Sequence, residues 1–381
     1  MPKFNKAFAM AILCTSIVFG FAACGNSSNA PSMIYVVSGG GSQTGNGGSG
    51  GNEKGSQEET RVPAVPPASA GTVEIRGKEY DLVTFGSWPQ TVKADGVTVD
   101  KNDSRKVGAF TYCKGNDGEW YVELKENAKK AGYKYSDGTD VAQSSADSFK
   151  WFKVEPIKWR ALTTNYDGKK LLLAESILTN FLFYDIADAS DSHISRTIDG
   201  KTVYTNNYKH SKIRAWLNGL SYQKRARSAH SQSTCDDYLN AGFFQTAFTA
   251  GERESIATTT IDNSKKSLWG SSPPANYHTY VCDNTSDKIF LLSEKETCNS
   301  DYGFGAEDAS DSARIRMATD YAIANGEELI LVDGCGGRWW KRSPSEWSGD
   351  CASCVQYDGE ANYLVHVDNS GVGVVPALCL K

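Results

Sequence analysis

From Gly25 to about Gly71 the chain is mostly glycine, serine, asparagine and proline, with Gly39-Gly40-Gly41 and Gly47-Gly48-Ser49-Gly50-Gly51 as its densest runs. So few apolar side chains cannot offset chain entropy by burial, and whatever folds must be built from the residues that follow. The end of the stretch, Val62-Pro63-Ala64-Val65-Pro66-Pro67, is expected to be stiffer and more extended. Met33 to Val37 are apolar, but nothing around them supports a core. The chain therefore divides into residues 1–23, a tether over 24–72, and a single large domain over 73–381, long for one domain yet tolerable for a mixed α and β fold.

The first segment is built for export. Lys3 and Lys6 precede an apolar run from Ala7 to Ala22, interrupted only by Thr15, Ser16 and Gly20, which closes on Phe21-Ala22-Ala23-Cys24. The run is short of the roughly 20 apolar residues a membrane span requires. Small residues before a cysteine suit a signal peptidase, and the segment resembles the lipobox of bacterial lipoproteins. The resemblance implies cleavage before Cys24, a diacylglyceryl group on its thiol with palmitate among the acyl chains of the lipidated residue, and a cell-surface protein anchored in a membrane, the outer one by expectation. Each buried acyl methylene contributes about 0.8 kcal/mol, so several chains hold firmly where one does not.

A formal net charge of −5, spread without long blocks, excludes the basic face that nucleic acid requires. Of ten cysteines, Cys14 leaves with the signal and Cys24 takes lipid. Cys113, Cys235, Cys282, Cys298, Cys335, Cys351, Cys354 and Cys379 remain, with no regular framework. Export permits disulfides, but the spacing fixes no pairing and is equally compatible with free thiols.

Short apolar runs bounded by turn residues predict strands at Tyr80–Phe85, Ile157–Leu162, Leu171–Ala174, Ile289–Leu292, Leu329–Val332 and Val374–Leu380. Pro376 marks the last as an edge or bulged strand. Ser211 can cap a helix over Lys212 to Asn218 ending at Gly219, and Ser312 one over Ala313 to Asn325 ending at Gly326.

Six blocks occur in order: Phe85-Gly86-Ser87-Trp88-Pro89-Gln90, Ile157 to Leu162, Ile213 to Asn218, Asp287 to Ser293, Trp339-Trp340-Lys341-Arg342-Ser343-Pro344, and Gly373 to Leu378. The series resembles a family of bacterial surface domains and covers essentially all of 80–381. Within it, the lipobox and the C-terminal stretch resemble the spirochaete lipoproteins of the Treponema variable protein type, which a diversity-generating retroelement diversifies. The resemblance implies an α+β domain with a C-type lectin fold of the formylglycine-generating-enzyme type. In that fold, strands from the two ends of the domain pair and a late, irregular stretch forms the ligand face.

That stretch is about 333–381. Val365 and Val367 alternate with His366 and Asp368 as in a half-buried strand, and Tyr357, Tyr363 and His366 can face solvent as rigid anchors among adaptable small residues. In such retroelement systems adenines are mutated, chiefly in Asn codons, which reach small, acidic, Tyr, His, Leu and Arg codons but not Trp, Lys, Glu or Gln. The resemblance therefore implies that Trp339, Trp340, Lys341, Glu346, Trp347, Gln356 and Glu360 are fixed scaffold. The variable ligand contacts it implies are Arg338, Ser348, Gly349, Asp350, Ala352, Ser353, Cys354, Tyr357, Ala361, Tyr363, Leu364, His366, Asp368 and Gly371. The ligand is expected to be a protein or glycan on a host or microbial surface, bound without chemistry, metal or cofactor.

The competing reading is an oxidoreductase related to formylglycine-generating enzymes, using Cys351 and Cys354. Gly336-Gly337-Arg338-Trp339 is similar to a Gly-Gly-x-Trp block of that superfamily, but its paired cysteines lie further apart and in an aromatic, arginine-rich context absent here. A thioredoxin-like site needs its pair at a helix N-terminus, and the flanking Ser348-Gly349-Asp350 and Val355-Gln356-Tyr357 are not helix-like. Structural zinc needs four ligands, and one Cys pair with only His366 and Cys335 as remote helpers falls short. Asp301, Glu307, Asp308 and Asp311 are too loosely spaced for calcium and read as a solvated loop. No Gly-x-Ser-x-Gly elbow marks a serine hydrolase.

Overall fold

Two long strands organise the domain: β2 (Lys78–Val92) and β6 (Phe149–Tyr166), whose inward residues Val83, Phe85, Trp88, Phe152, Ile157 and Trp159 are all buried. The computed structural model describes residues 64–128, 132–143, 146–185, 195–223, 235–269, 280–326 and 336–381, all within one compact unit. The signal segment, Cys24, nearly all of the tether, the expected strand Leu329–Val332 and Cys335 lie outside the described residues. Among the described residues no helix is long and apolar enough to cross a membrane.

The domain is mixed α and β, mostly sheet with short helices. In the larger, nine-stranded sheet β2 pairs with β6 along one side. β5 (Trp120–Lys125) and β7 (Lys169–Ala174) share the other side of β6. Beyond β2 lies β1 (Ala68–Ile75), and beyond β5 lie β4 (Phe110–Gly115) and β3 (Val99–Val107). Beyond β7 come the terminal strand Ala377–Leu380 and then Ile289–Phe290. The folded body thus starts before residue 73. Val65 accepts from the Gly86 N–H at 3.0 Å and donates to Glu252 at 2.5 Å, because the proline-rich end is pinned in extended form.

A second, five-stranded sheet runs Tyr363–His366, Cys351–Val355, Trp339–Pro344, Gly373–Val374 and Thr179–Asn180. The chain passes between the sheets twice, and the two passages pair with each other: Leu173 opposes Ala377 in the larger sheet, and Thr179 opposes Val374 in the smaller. Between them, Ala174 donates to the Pro376 carbonyl at 3.0 Å and Leu178 to that of Val374 at 3.1 Å. Pro376 therefore sits at the crossing, where its missing N–H costs no ladder bond. The expected edge or bulged strand over Val374–Leu380 is instead two strands in two sheets, and Ala377–Leu380 is flanked on both sides. The N- and C-terminal strands share the larger sheet with β6 and β7 between them, rather than pairing directly.

The predicted helix α1 (Lys212–Asn218) forms as read, with the Ser211 hydroxyl accepting from the Arg214 N–H and Gly219 closing it at φ 63°. The predicted helix Ala313–Asn325 does not. Ser312–Arg314 is one 3-10 turn capped by Asp311, Met317–Ala318 pairs in parallel with Ser176–Ile177, and only Asp320–Asn325 is helical, capped by Thr319. Arg314 and Arg316 explain the break. Both are fully buried, and a continuous helix could not aim both guanidiniums at their carbonyls. Arg314 donates to the carbonyls of Thr297, Gly305 and Glu307 at 3.0 Å each, to Gly359 at 2.7 Å, and to Ala309. Arg316 donates to Ala174 at 3.1 Å. The acidic loop before this turn is partly structural for the same reason: Asp311 is buried and accepts from Arg76 and from the Gly305 N–H, both at 2.6 Å.

Every side chain of Trp339–Pro344 is buried. Arg342 lies against Glu296 and donates to the Leu291 carbonyl at 2.9 Å, while Lys341 donates to the Ala361 carbonyl and lies 3.6 Å from Glu294. Burial alone would raise the Glu296 carboxyl, but the Arg342 guanidinium outweighs it and holds the group below its usual 4.5. A folded-state value below the unfolded one means the pair stabilises the domain fully above about pH 4.5, and that this contribution disappears as pH falls further. Glu296→Gln is expected to cost about 3–5 kcal/mol at neutral pH by leaving Arg342 buried without its counter-charge. It should also flatten the loss of stability in acid, and urea unfolding at neutral and acidic pH checks both.

Candidate functional site

The C-terminal stretch is regular rather than irregular. Trp339–Pro344, Cys351–Val355 and Tyr363–His366 form an antiparallel ladder, with Trp340 opposite Cys354 and Cys351 opposite His366. Its middle is closed. Ala352, Ser353, Cys354 and Ala361 have no exposed surface, and Gly349 and Gly371 are buried. These six residues cannot touch a ligand, and a larger side chain at the first four would overpack the core by typically 1–3 kcal/mol. A Cβ on Gly349 would meet the Tyr204 ring at 2.3 Å, so this glycine is required by close approach. Ser353 is committed inward, donating to Glu294 at 3.0 Å.

Apart from Leu364, which lies within its strand opposite Ser353, the remaining expected contacts reach the surface at or just beyond the strand ends. His366 and Asp368 are exposed, and Arg338, Ser348, Asp350, Tyr357, Tyr363 and Leu364 are half-buried. They fall into two groups about 10 Å apart along the ladder, three residue steps of about 3.3 Å each. At one end the Arg338 guanidinium lies 4.3 Å from the Tyr363 ring centre, donating to the Tyr363 hydroxyl at 3.2 Å and to Gln356 at 2.9 Å. This holds two long side chains rigid, which lowers the entropy lost on binding.

At the other end Asp350, Cys351 and His366 converge. The Asp350 carboxylate lies 3.4 Å from His366 Nδ1 and 3.6 Å from Cys351 Sγ, and Sγ to Nδ1 is 3.7 Å. The turn carrying Asp350 is clamped from below. Buried Asn206 donates to the carbonyls of Ser348 and Cys351 at 2.9 and 3.0 Å, Thr205 donates to that of Gly349 at 2.9 Å, and Val367 donates to that of Asp350 at 2.9 Å. The Ser348 hydroxyl donates to the Asp350 carboxylate. Burial, then the Asp350 and Asp368 carboxylates, push the Cys351 thiol up to about 12. Of the residues read as fixed scaffold, Trp339, Trp340 and Lys341 are buried, but Trp347 is 74% exposed at the tip of this turn. Sequence reasoning missed it as a surface contact. The turn residues Ser345, Ser348 and Gly349 around it were the available signal, and Ser345 indeed accepts from the Trp347 and Ser348 N–H groups.

The cysteine pair does not form a redox site in this arrangement. Cys351 and Cys354 lie on one strand rather than in a loop, three residues apart, so their side chains leave opposite faces with Cα atoms about 10 Å apart, beyond the reach of a disulfide. Cys354 is fully buried, and burial raises its thiol to about 12, far from the thiolate a redox nucleophile needs. Cys113, Cys282, Cys298 and Cys379 are free as well. A polar cleft of about 460 Å³ opens near Tyr166, Lys295, Tyr302 and Arg342, but its guanidinium is already engaged by Glu296. Peptide mapping of the folded protein after mild oxidation is expected to yield no Cys351–Cys354 link, and alkylation without denaturant should leave Cys354 unmodified.

A family of domains of unknown function, DUF6273, matches residues 167–381, more than half of the chain, and the chain belongs to that family. The matched stretch starts in the turn between β6 and β7 and takes in both passages between the sheets and the whole smaller sheet; β1 to β6 precede it. No curated protein and no solved structure matches the chain.

Proposed function

We propose that this DUF6273 member is a surface-displayed lipoprotein, held by acyl chains on Cys24, that binds protein or glycan ligands through the exposed strand ends of its smaller sheet. The domain acts as a C-type lectin-like scaffold of the formylglycine-generating-enzyme type, and its C-terminal contacts are diversified by a retroelement. One observation carries the reading. Within the late stretch, Arg338, Ser348, Asp350, Tyr357, Tyr363, Leu364, His366 and Asp368 reach the surface, all but Leu364 at the ends of a ladder whose middle is otherwise closed. Such a layout lets surface side chains change while the core stays intact. Arg338 and Tyr363 supply rigid, amphipathic contact area, and exposed Trp347 adds an aromatic anchor.

The sequence of the gene's 3′ end, read across isolates of one lineage together with its flanking DNA, tests this. Substitutions should gather at those eight positions and spare Trp339, Trp340, Lys341, Ala352 and Ala361. A uniform 3′ end with no template repeat nearby would overturn diversification. Anchoring is separable: Cys24→Ser is expected to abolish incorporation of labelled palmitate and release the protein from the membrane fraction, and unchanged labelling would refute it.

A further inference from the structure

We propose that Asp350, Cys351 and His366 bind a zinc-type divalent cation at the tip of the smaller sheet, leaving one coordination position open to solvent. The argument begins with distance. Asp350 Oδ2 lies 3.4 Å from His366 Nδ1, Cys351 Sγ lies 3.6 Å from Asp350 Oδ1 and 3.7 Å from His366 Nδ1, and one donor atom from each residue lies within 4.8 Å of the other two. Such a grouping suits donors arranged around a shared ion. Tetrahedral zinc, with bonds of about 2.0–2.2 Å to nitrogen or oxygen and about 2.3 Å to sulfur, sets its donors about 3.3–3.7 Å apart.

Chemistry narrows the ion. One thiolate, one imidazole and one carboxylate together favour a borderline ion of the zinc type, whereas calcium and magnesium prefer all-oxygen shells. The donors are also held in place. Cys351 and His366 are direct cross-strand partners, so their side chains leave the sheet on the same face, and Asp350 is the adjacent residue in a turn fixed by Thr205 and Asn206. The Ser348 hydroxyl donating to Asp350 is the outer-shell support that orients a ligating carboxylate. Nearby Asp368 adds negative charge. Binding moves one proton: the S–H bond of Cys351 breaks, its electron pair goes to the cation, and the proton goes to solvent, with no change of oxidation state. The ion ties the turn to the edge strand and places a Lewis acid at the tip of the sheet. This inference does not rest on the diversified-lipoprotein reading, because a triad that varied between isolates would still be complete in this chain.

Titration of the full-length, thiol-reduced, metal-stripped chain with zinc chloride in a calorimeter tests the site. One equivalent is expected to bind, with about one proton released as judged in buffers of different ionisation enthalpy. Cys351→Ser and His366→Ala should each weaken binding about a hundredfold or more, and Ser348→Ala about tenfold. Cys354→Ser should leave the stoichiometry unchanged. His366 is exposed, so its variant keeps the fold, and zinc should raise the melting temperature of the parent chain but not of His366→Ala. With cobalt as the probe, sulfur-to-metal charge-transfer absorption should appear and vanish in Cys351→Ser. No stoichiometric binding, or binding that survives both Cys351→Ser and His366→Ala, overturns the proposal.

Discussion

The strand Trp339–Pro344 is buried on both faces while carrying a lysine and an arginine, and this burden shapes everything around it. A charge removed from water without partners costs far more than any single contact returns, so the surroundings of Lys341 and Arg342 are dictated. Glu296 is brought to Arg342 by the short helix Glu294–Thr297, itself fixed by a capping box from Ser293. Lys341 takes the Ala361 carbonyl and lies beside Glu294 on the same helix. The two indoles are similarly committed: Trp339 donates to the Arg314 carbonyl at 3.1 Å and Trp340 to that of Phe181 at 2.8 Å. One strand thereby specifies the place of a helix, the 3-10 turn at Arg314, the residues after Asn180 and the turn at Ala361.

The same economy appears where the sheets meet. A single antiparallel ribbon, residues 170–180 against 373–380, belongs to the larger sheet at one end and to the smaller at the other. Because the ribbon is hydrogen-bonded through the crossing, the smaller sheet cannot pivot on a flexible hinge. Arg314 adds a second constraint by gathering the carbonyls of Thr297, Gly305, Glu307, Ala309 and Gly359, so the acidic loop and the turn before Tyr363 move as one body.

A surface mounted this way has a rigid base and free tips. The Arg338–Tyr363 pair and the Asp350–Cys351–His366 group stand at opposite ends of one ladder, each braced by backbone contacts from below. Pre-organisation of this kind lowers the freedom that side chains lose on any binding event.

Much of this was legible in the residues. Short apolar runs bounded by turn residues marked parts of β2, β6 and β7, and Ser211 and Gly219 bounded α1, because local pattern and capping chemistry act within a few residues, while Trp339, Trp340 and Lys341, scaffold by the family resemblance, are buried. The alternation of Val365 and Val367 with His366 and Asp368 was equally readable. Tertiary structure decided the rest. A helical pattern over Ala313–Asn325 was overridden because Arg314 and Arg316 had distant carbonyls to satisfy. A continuous apolar run at Val374–Leu380 was divided between two sheets at Pro376. Cysteines that looked like a loop pair became opposite faces of one strand, while His366, fifteen residues away, became the true neighbour of Cys351 through cross-strand register. Composition and local propensity determined which segments could be strand, helix or tether. Which side chains meet at the surface was settled only by register and burial, which depend on contacts between residues far apart in the chain.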